Sequence, residues 1–271
     1  MENKIILITG ATDGIGKRTA YELADKSATV ILHGRDKERL LKTQEEISHL
    51  TNNNNISIVT ANLSSLKQVR LAAEEIKTKF KQLDVLINNA GVYMKTRVLT
   101  EDGFETTFAV NHLAPFLITN LLLNLLKQSN SSRIINVSSI AHTRAQLVFE
   151  NLNSAKHFDA YSTYAVSKLA NILFTYKLAD QLKNDGITVD ALHPGVIDTK
   201  LLHTGFNIAG ASVEEGAATS VYLASSNEVE NVSGKYFENV KEVPSSEDSY
   251  NKEYQKKMWN VSSQMVGLDQ E

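Results

Sequence analysis

The sequence predicts an α/β domain with a doubly wound parallel sheet of seven strands and helices on both faces. Two observations carry this. Short runs rich in Ile, Val and Leu alternate with longer stretches of helical periodicity along most of the chain, and the first such run passes through a glycine-rich turn directly into a helix. Continuous apolar runs read as strands buried on both faces. Their alternation with helices implies right-handed crossovers between parallel strands.

The elements follow in order. Lys4-Ile5-Ile6-Leu7-Ile8-Thr9 forms the first strand, over 4–9, and a helix is expected over 15–26. Between them lies Gly10-Ala11-Thr12-Asp13-Gly14-Ile15-Gly16. A strand, a glycine turn and a helix N-terminus make an anion site, because backbone N–H groups and the helix dipole face a pyrophosphate. Gly10 permits the tight turn, Gly14 lets the backbone approach phosphates, and Gly16 lets helix and strand pack closely; the reading is a Rossmann-type dinucleotide site. Further strands are expected near 28–33, 56–60, 83–88, 133–138, 187–192 and 234–237, with helices near 37–50, 65–81, 105–126, 161–184 and 213–225. Ligands should meet at the carboxyl ends of these strands, near the switch point of the topology.

Within the helix near 161–184, Tyr164 and Lys168 are four residues apart and share one face. An ammonium beside a phenol favours the phenolate and is expected to lower the tyrosine pKa from about 10. A tyrosine tuned toward neutrality serves as a general acid or base.

Composition excludes several classes. With 271 residues, 42% hydrophobic, the chain can build one large core. A net charge of −3 gives no reason to expect nucleic acid or an anionic membrane as partner. There is no cysteine, so disulfides and zinc–thiolate sites are excluded, and no metal is expected. The first strand begins about four residues from Met1, so neither a signal peptide nor a membrane anchor is expected and the location reads as cytoplasmic. The apolar run Phe116 to Leu126 is too short to span a bilayer and reads as a buried helix.

The glycine loop, spaced Gly-x-x-x-Gly-x-Gly, together with Tyr164 and Lys168 resembles the short-chain dehydrogenase/reductase family. Asn88-Asn89-Ala90-Gly91 after the fourth strand, Asn111, Ser139 at the end of Ile134 to Ser139, and His193-Pro194-Gly195 with Thr199 match the family's motifs in order. The resemblance implies Asn111, Ser139, Tyr164 and Lys168 as catalytic residues. It implies cofactor contacts from Gly10, Thr12, Asp13, Gly14, Ile15, Gly16, Asn89, Ala90, Gly91, Tyr164, Lys168, Pro194, Gly195 and Thr199. Asn62-Leu63 stands where the family has Asp-Leu against the adenine ring; an amide can both accept and donate there. In the family's chemistry Tyr164 donates a proton to a carbonyl oxygen as hydride arrives. Lys168 also bonds the nicotinamide ribose, Ser139 donates to the same oxygen, and Asn111 holds a water linking Lys168 to a relay.

Cofactor choice turns on His33-Gly34-Arg35-Asp36. Gly34 occupies the position where NAD-dependent members place a ribose-binding carboxylate. Arg35 follows, and a guanidinium grips a 2′-phosphate in bidentate fashion; Lys17 or Arg18 could add charge. NADP(H) is therefore favoured, with NAD(H) requiring Asp36 as the ribose partner.

A gap of 24 residues between Ser139 and Tyr164, the run Val137 to His142, Ser167 to Asn171, Gly234 to Phe237 and Met258 to Ser262 resemble retinol-dehydrogenase-like members. That implies a small-molecule substrate, a small or apolar aldehyde, ketone or alcohol. A dinucleotide-binding sensor with little turnover is the alternative, which the filled catalytic positions oppose. The pocket walls are expected from Tyr93, Met94, the loop His142 to Phe158 and Leu201 to Ala211, so that residues 140–162 and 199–212 form substrate loops on one catalytic domain, 1–241. The tail, 242–271, carries Tyr250, Tyr254, Met258, Trp259, Val261 and Met265 at helical spacing. It is expected to cover its own domain near the substrate entrance. Family members often pair through helices corresponding to 105–126 and 161–184, and the tail favours a monomer or homodimer over a tetramer.

Overall fold

Seven parallel strands form the expected sheet: β1 (Ile5–Ile8), β2 (Thr29–Gly34), β3 (Ile56–Thr60), β4 (Val85–Asn88), β5 (Ser132–Val137), β6 (Ile187–His193) and β7 (Tyr236–Glu238). The structure is a computed structural model describing residues 1–206 and 208–268. Asn207 of the predicted loop 199–212 and positions 269–271 of the predicted tail lie outside the described residues. An eighth strand, β8 (Lys241–Glu242), corrects the expected seven; it runs antiparallel to β7. It closes a two-residue hairpin through Asn239 and Val240, both at positive φ (50° and 63°). A two-residue loop of this hand suits the twist of a hairpin. Two exposed charged residues carry no apolar alternation, so nothing in the sequence marks this edge.

The helices are α1 (Gly14–Asp25), α2 (Lys37–Thr51), α3 (Leu66–Lys79), α4 (Thr106–Phe108), α5 (Ala114–Leu126), α6 (Ala160–Gln181), α7 (Lys200–Gly205), α8 (Val213–Ser225), α9 (Glu247–Tyr250) and α10 (Lys252–Val266). The sheet order is 3-2-1-4-5-6-7-8, so winding reverses between β1 and β4. Strand alternation sorts the core. Ile6, Ile8, Val30, Leu32, Val85 and Ile87 face α1, α2 and α8, whereas Leu7, Ile31 and Leu86 face α3, α5 and α6. Burial on both faces is why these strands are apolar at every position.

The predicted helix 105–126 is interrupted. The buried carboxylate of Glu105 caps α4 by accepting from Thr107 N and Phe108 N, and a π turn, Ala109–Leu113, leads into α5. Pro115 has no N–H to give Asn111, four residues before it, so the α-helical ladder cannot run through this turn. The stretch Thr106–Leu126 is long and apolar enough to cross a bilayer, but 78% of its apolar window is buried in the core.

The tail is helical, as its stripe predicts. Asn251 caps α10, and Gly267 ends it in the left-handed region. The helix lies against α5 and α6, with the Trp259 ring 5.0 Å from Phe116 and 5.9 Å from Phe174. The expected place near the substrate entrance is corrected. Among the described residues, none of the tail lines the cleft; α10 meets the 140–162 loop from behind, through Tyr254 on Phe149.

Candidate active site

One cleft of about 1450 Å³ runs along the carboxyl ends of the strands, from Arg35 and Asn62 past the glycine loop to Ser139, Tyr164 and Phe206. A single small-ligand pocket is typically ~300–1,000 Å³, so this one has room for a substrate beside a dinucleotide.

At its middle, Gly10 and Gly14 have positive φ (68° and 50°). A side chain at Gly16 would overlap Gly10 O and the Asn89 amide, as the close-packing role requires. Asn89 stitches the turns after β1 and β4, its Nδ2 donating to Thr9 O at 2.8 Å, while Thr9 Oγ1 accepts from Asn89 N and Ala90 N. Asp13 caps α1 by accepting from Gly14 N, and the first turn of α1 carries no acidic residue. The helix N-terminus therefore faces the cleft with its positive end available. Thr199, whose methyl lies opposite Gly14, closes the cleft from the other side and caps α7; Ile15, Pro194 and Gly195 line the same stretch, with Gly195 at φ 95°. These residues fit a dinucleotide pyrophosphate.

At one end, Arg35 is exposed on the cleft wall. Asp36 Oδ1 accepts from Arg39 N and caps α2. Lys17 and Arg18 both line the cleft, where Lys17 pairs with Glu46, and Arg18 with Glu22 and Glu214. Arg39 Nη2 is ion-paired with Asp13 Oδ2 at 3.2 Å and lies 3.4 Å from Thr12 O, and Arg39 is not among the residues that line the cleft. Lys200 also bonds Asp13, at 2.6 Å, and holds its carboxyl below the ordinary range. Asn62 Oδ1 accepts from Ser64 N, an Asx turn that fixes the side chain beside buried Leu63.

At the other end, α6 starts at an Asp159 cap and buries both Tyr164 and Lys168. Lys168 Nζ donates to Val137 O at 3.0 Å and sits 5.6 Å from the centre of the Tyr164 ring. The expected lowering of the tyrosine pKa does not occur in the protein alone. Burial pushes Tyr164 up to about 12, against the pull of a hydrogen bond with Ser139, and pushes Lys168 down to about 8. Both groups lose water on the same helix face, and that loss outweighs their attraction. Ser139 is both a cap and a site residue: its Oγ accepts from Ala141 N at 3.2 Å, which leaves the O–H to donate. Ser138, on the opposite face, donates to Lys168 O at 2.8 Å and tethers α6. Asn111 reaches the site, but its amide is engaged with protein. Oδ1 accepts from Val92 N at 2.8 Å; Nδ2 donates to Val92 O and Ser167 Oγ. These bonds brace the turn after Gly91. A Cβ at Gly91 would lie 3.5 Å from Lys168 Nζ and 3.6 Å from Asn111 Oδ1.

The walls near Tyr164 are aromatic. Phe206, at the end of α7, lies 5.3 Å from Tyr93, 6.0 Å from Tyr161 and 6.2 Å from Tyr164. Met94, Leu201, Leu202 and Ile208 line the cleft as expected. Of the predicted loop wall His142 to Phe158, only Thr143 and Arg144 line it; His142 turns inward.

Comparison with known proteins follows this geometry. A family profile described as short chain dehydrogenase matches residues 4–207. The chain is 42% identical to retinol dehydrogenase 13 of Mus musculus, over 98% of this chain and 84% of that one. It is 40% identical to retinol dehydrogenase 14 of Homo sapiens, over 99% and 88%. Among solved structures, a protein of Mycobacterium paratuberculosis superposes with a TM-score of 0.83 at 30% identity, covering 98% of this chain and 94% of that one. The NADP active-site complex of Pseudomonas aeruginosa RhlG superposes at 0.73 and 26% identity, covering 88% and 94%.

Proposed function

The chain belongs to the short-chain dehydrogenase/reductase family, in its retinol-dehydrogenase-like part, and on that premise we propose that it is an NADP(H)-dependent oxidoreductase acting on a small or apolar aldehyde, ketone or alcohol. The observation that carries this reading is the continuity of one cleft from Arg35, past a glycine-lined helix N-terminus, to a buried tyrosine and lysine.

The glycine loop holds the pyrophosphate, Arg35 the 2′-phosphate, Asn62 and Leu63 the adenine, and Lys168 with Asn89 to Gly91 the nicotinamide half. When bound, the nicotinamide supplies or accepts the hydride. The chain's own residues handle the proton. Tyr164, protonated well above neutral pH, is in the form that donates to a carbonyl oxygen. Ser139, its lone pair committed to Ala141 N, turns its proton to the same oxygen. The aromatic ring of walls around Tyr164 favours an apolar substrate and keeps water from the proton transfer. The relatives' names as retinol dehydrogenases support that class.

The same reading includes a monomer or a homodimer built away from α5 and α6, because α10 already covers that face with Trp259 against Phe116 and Phe174. The test of function is a turnover panel. Purified protein is offered NADPH or NADH with aldehydes and ketones of graded size and polarity. Turnover should favour NADPH and rise with apolar character. Better turnover with NADH would defeat the cofactor assignment, and preference for small charged carbonyls the substrate class.

A further inference from the structure

His142, three residues past Ser139, is 1% exposed and joins two distant parts of the chain. Its Nε2 accepts from the backbone N–H of Ser246, in the tail, at 3.1 Å. A backbone N–H can only donate, so Nε2 is unprotonated and the ring proton resides on Nδ1. Nδ1 lies 2.7 Å from Ser139 O and donates to it. His142 N donates to the same carbonyl at 3.0 Å. Ser139 is thereby held at its carbonyl by one imidazole and at its hydroxyl by Ala141 N.

The far anchor is itself rigid. Ser249 Oγ donates to Ser246 O at 2.5 Å, Gln255 Nε2 donates to Ser249 O at 2.8 Å, and Ser245 bonds the Tyr176 hydroxyl at 2.7 Å. Ser246 contributes to His142 through its backbone alone; its own buried Oγ has no partner. The tail, which among the described residues takes no part in lining the cleft, reaches the site by this route.

We propose that His142 is a positioning residue that fixes the backbone of Ser139 to the C-terminal tail through the Ser246 N–H, and so sets where the Ser139 hydroxyl meets the substrate oxygen. The proposal rests on Ser139 acting as donor in the reaction proposed above. Its physical basis is the short lever between a serine backbone and its Oγ: a rotated peptide displaces the hydroxyl. Misplacement of about 1 Å costs up to ~10²-fold in rate.

The test uses the full chain. Ser246→Pro removes the N–H that His142 accepts from and sets the ring Cδ in its place, at a backbone φ of −64° that suits proline. Its kcat with NADPH and the best aldehyde of the panel should fall about tenfold, with NADPH affinity by fluorescence unchanged. His142→Phe, which keeps a ring, should match it. His142→Gln should recover most of the loss, because one amide can accept from Ser246 and donate to Ser139 as the ring does. In a Ser139→Ala background, Ser246→Pro should cost nothing further. Independently of activity, the imidazole nitrogen resonances of the unliganded chain should identify His142 as neutral and protonated at Nδ1, with Nε2 shifted by Ser246→Pro. Unaltered kcat in Ser246→Pro, an undiminished loss in the Ser139→Ala background, or a proton on Nε2 would overturn the proposal. Full turnover in Ser139→Ala alone would instead remove the reading on which it rests.

Discussion

Tyr164 and Lys168 act under opposite pressures from the same burial, and this gives the site its pH behaviour. Reduction needs a protonated Tyr164 and a charged Lys168. With Tyr164 near 12 and Lys168 near 8, the reductive rate should hold to about pH 8 and decline above it as the lysine loses its proton. The oxidative rate, which needs the phenolate, should climb up to about pH 8 and level off above it, where loss of the lysine proton offsets the gain in phenolate; steady-state rates in both directions check this, and a reductive rate that rose above pH 8 would contradict it. At the cofactor end, Arg35→Ala should raise the KM for NADPH roughly ten- to a hundredfold, the worth of a charge-assisted bond of ~1.5–3 kcal/mol, and leave NADH little changed. Arg35 was legible as a cleft residue because it follows the second strand. The tyrosine shift was not legible. Spacing puts the ammonium beside the phenol, but only the packed structure shows that both have lost water.

At the scale of elements, local periodicity gave the strands, the glycine loop and α6, whose apolar spacing and Asp159 cap are encoded within a few residues. The break in 105–126 had a signal in Pro115, but its outcome as a π turn depends on Asn111 finding Val92 and Ser167. The tail's stripe marked a helix, whereas its docking face was decided by complementary rings on α5 and α6. His112, next to Asn111, bonds Ser262 Oγ at 2.7 Å and Asn171 Oδ1 at 3.2 Å, so α10 is also tied to the π turn. Trp259→Ala should destabilise the fold by about 1–3 kcal/mol, less than for a fully buried ring because Trp259 is half-buried, measured by denaturant unfolding. The unaltered chain should scatter light as a monomer or dimer. Removal of residues 245–271 should expose Phe116 and Phe174 and promote association; a truncated chain that stayed monomeric with unchanged stability would refute this packing.

For the whole molecule, four buried histidines couple folding to pH. Burial holds His33, His112 and His193 near 4 and lowers His142, against an ordinary value of 6.5. The unfolded chain binds these protons first as pH falls. Stability contributed by the neutral rings is therefore complete above about pH 6.5 and is lost toward pH 4, at about 1.4 kcal/mol per pH unit for each of His33, His112 and His193. Melting temperature should be flat at neutral pH and drop steeply below 6.5. His33, with both ring nitrogens buried and unpartnered, makes a direct check: His33→Leu should shallow that slope without loss of stability at pH 7. The doubly wound architecture was legible in outline because alternation repeats along the chain, while the β7–β8 hairpin edge, built on two charged residues, was not. On the proposed function, the architecture provides one cleft in which a dinucleotide and a substrate meet at Tyr164. That claim is tested most directly by comparing NADPH-dependent carbonyl reduction and NADPH affinity in the unaltered chain and in Tyr164→Phe. The account predicts turnover lost by at least about a hundredfold, as for removal of a general acid, with NADPH affinity retained; near-normal turnover in Tyr164→Phe would contradict it.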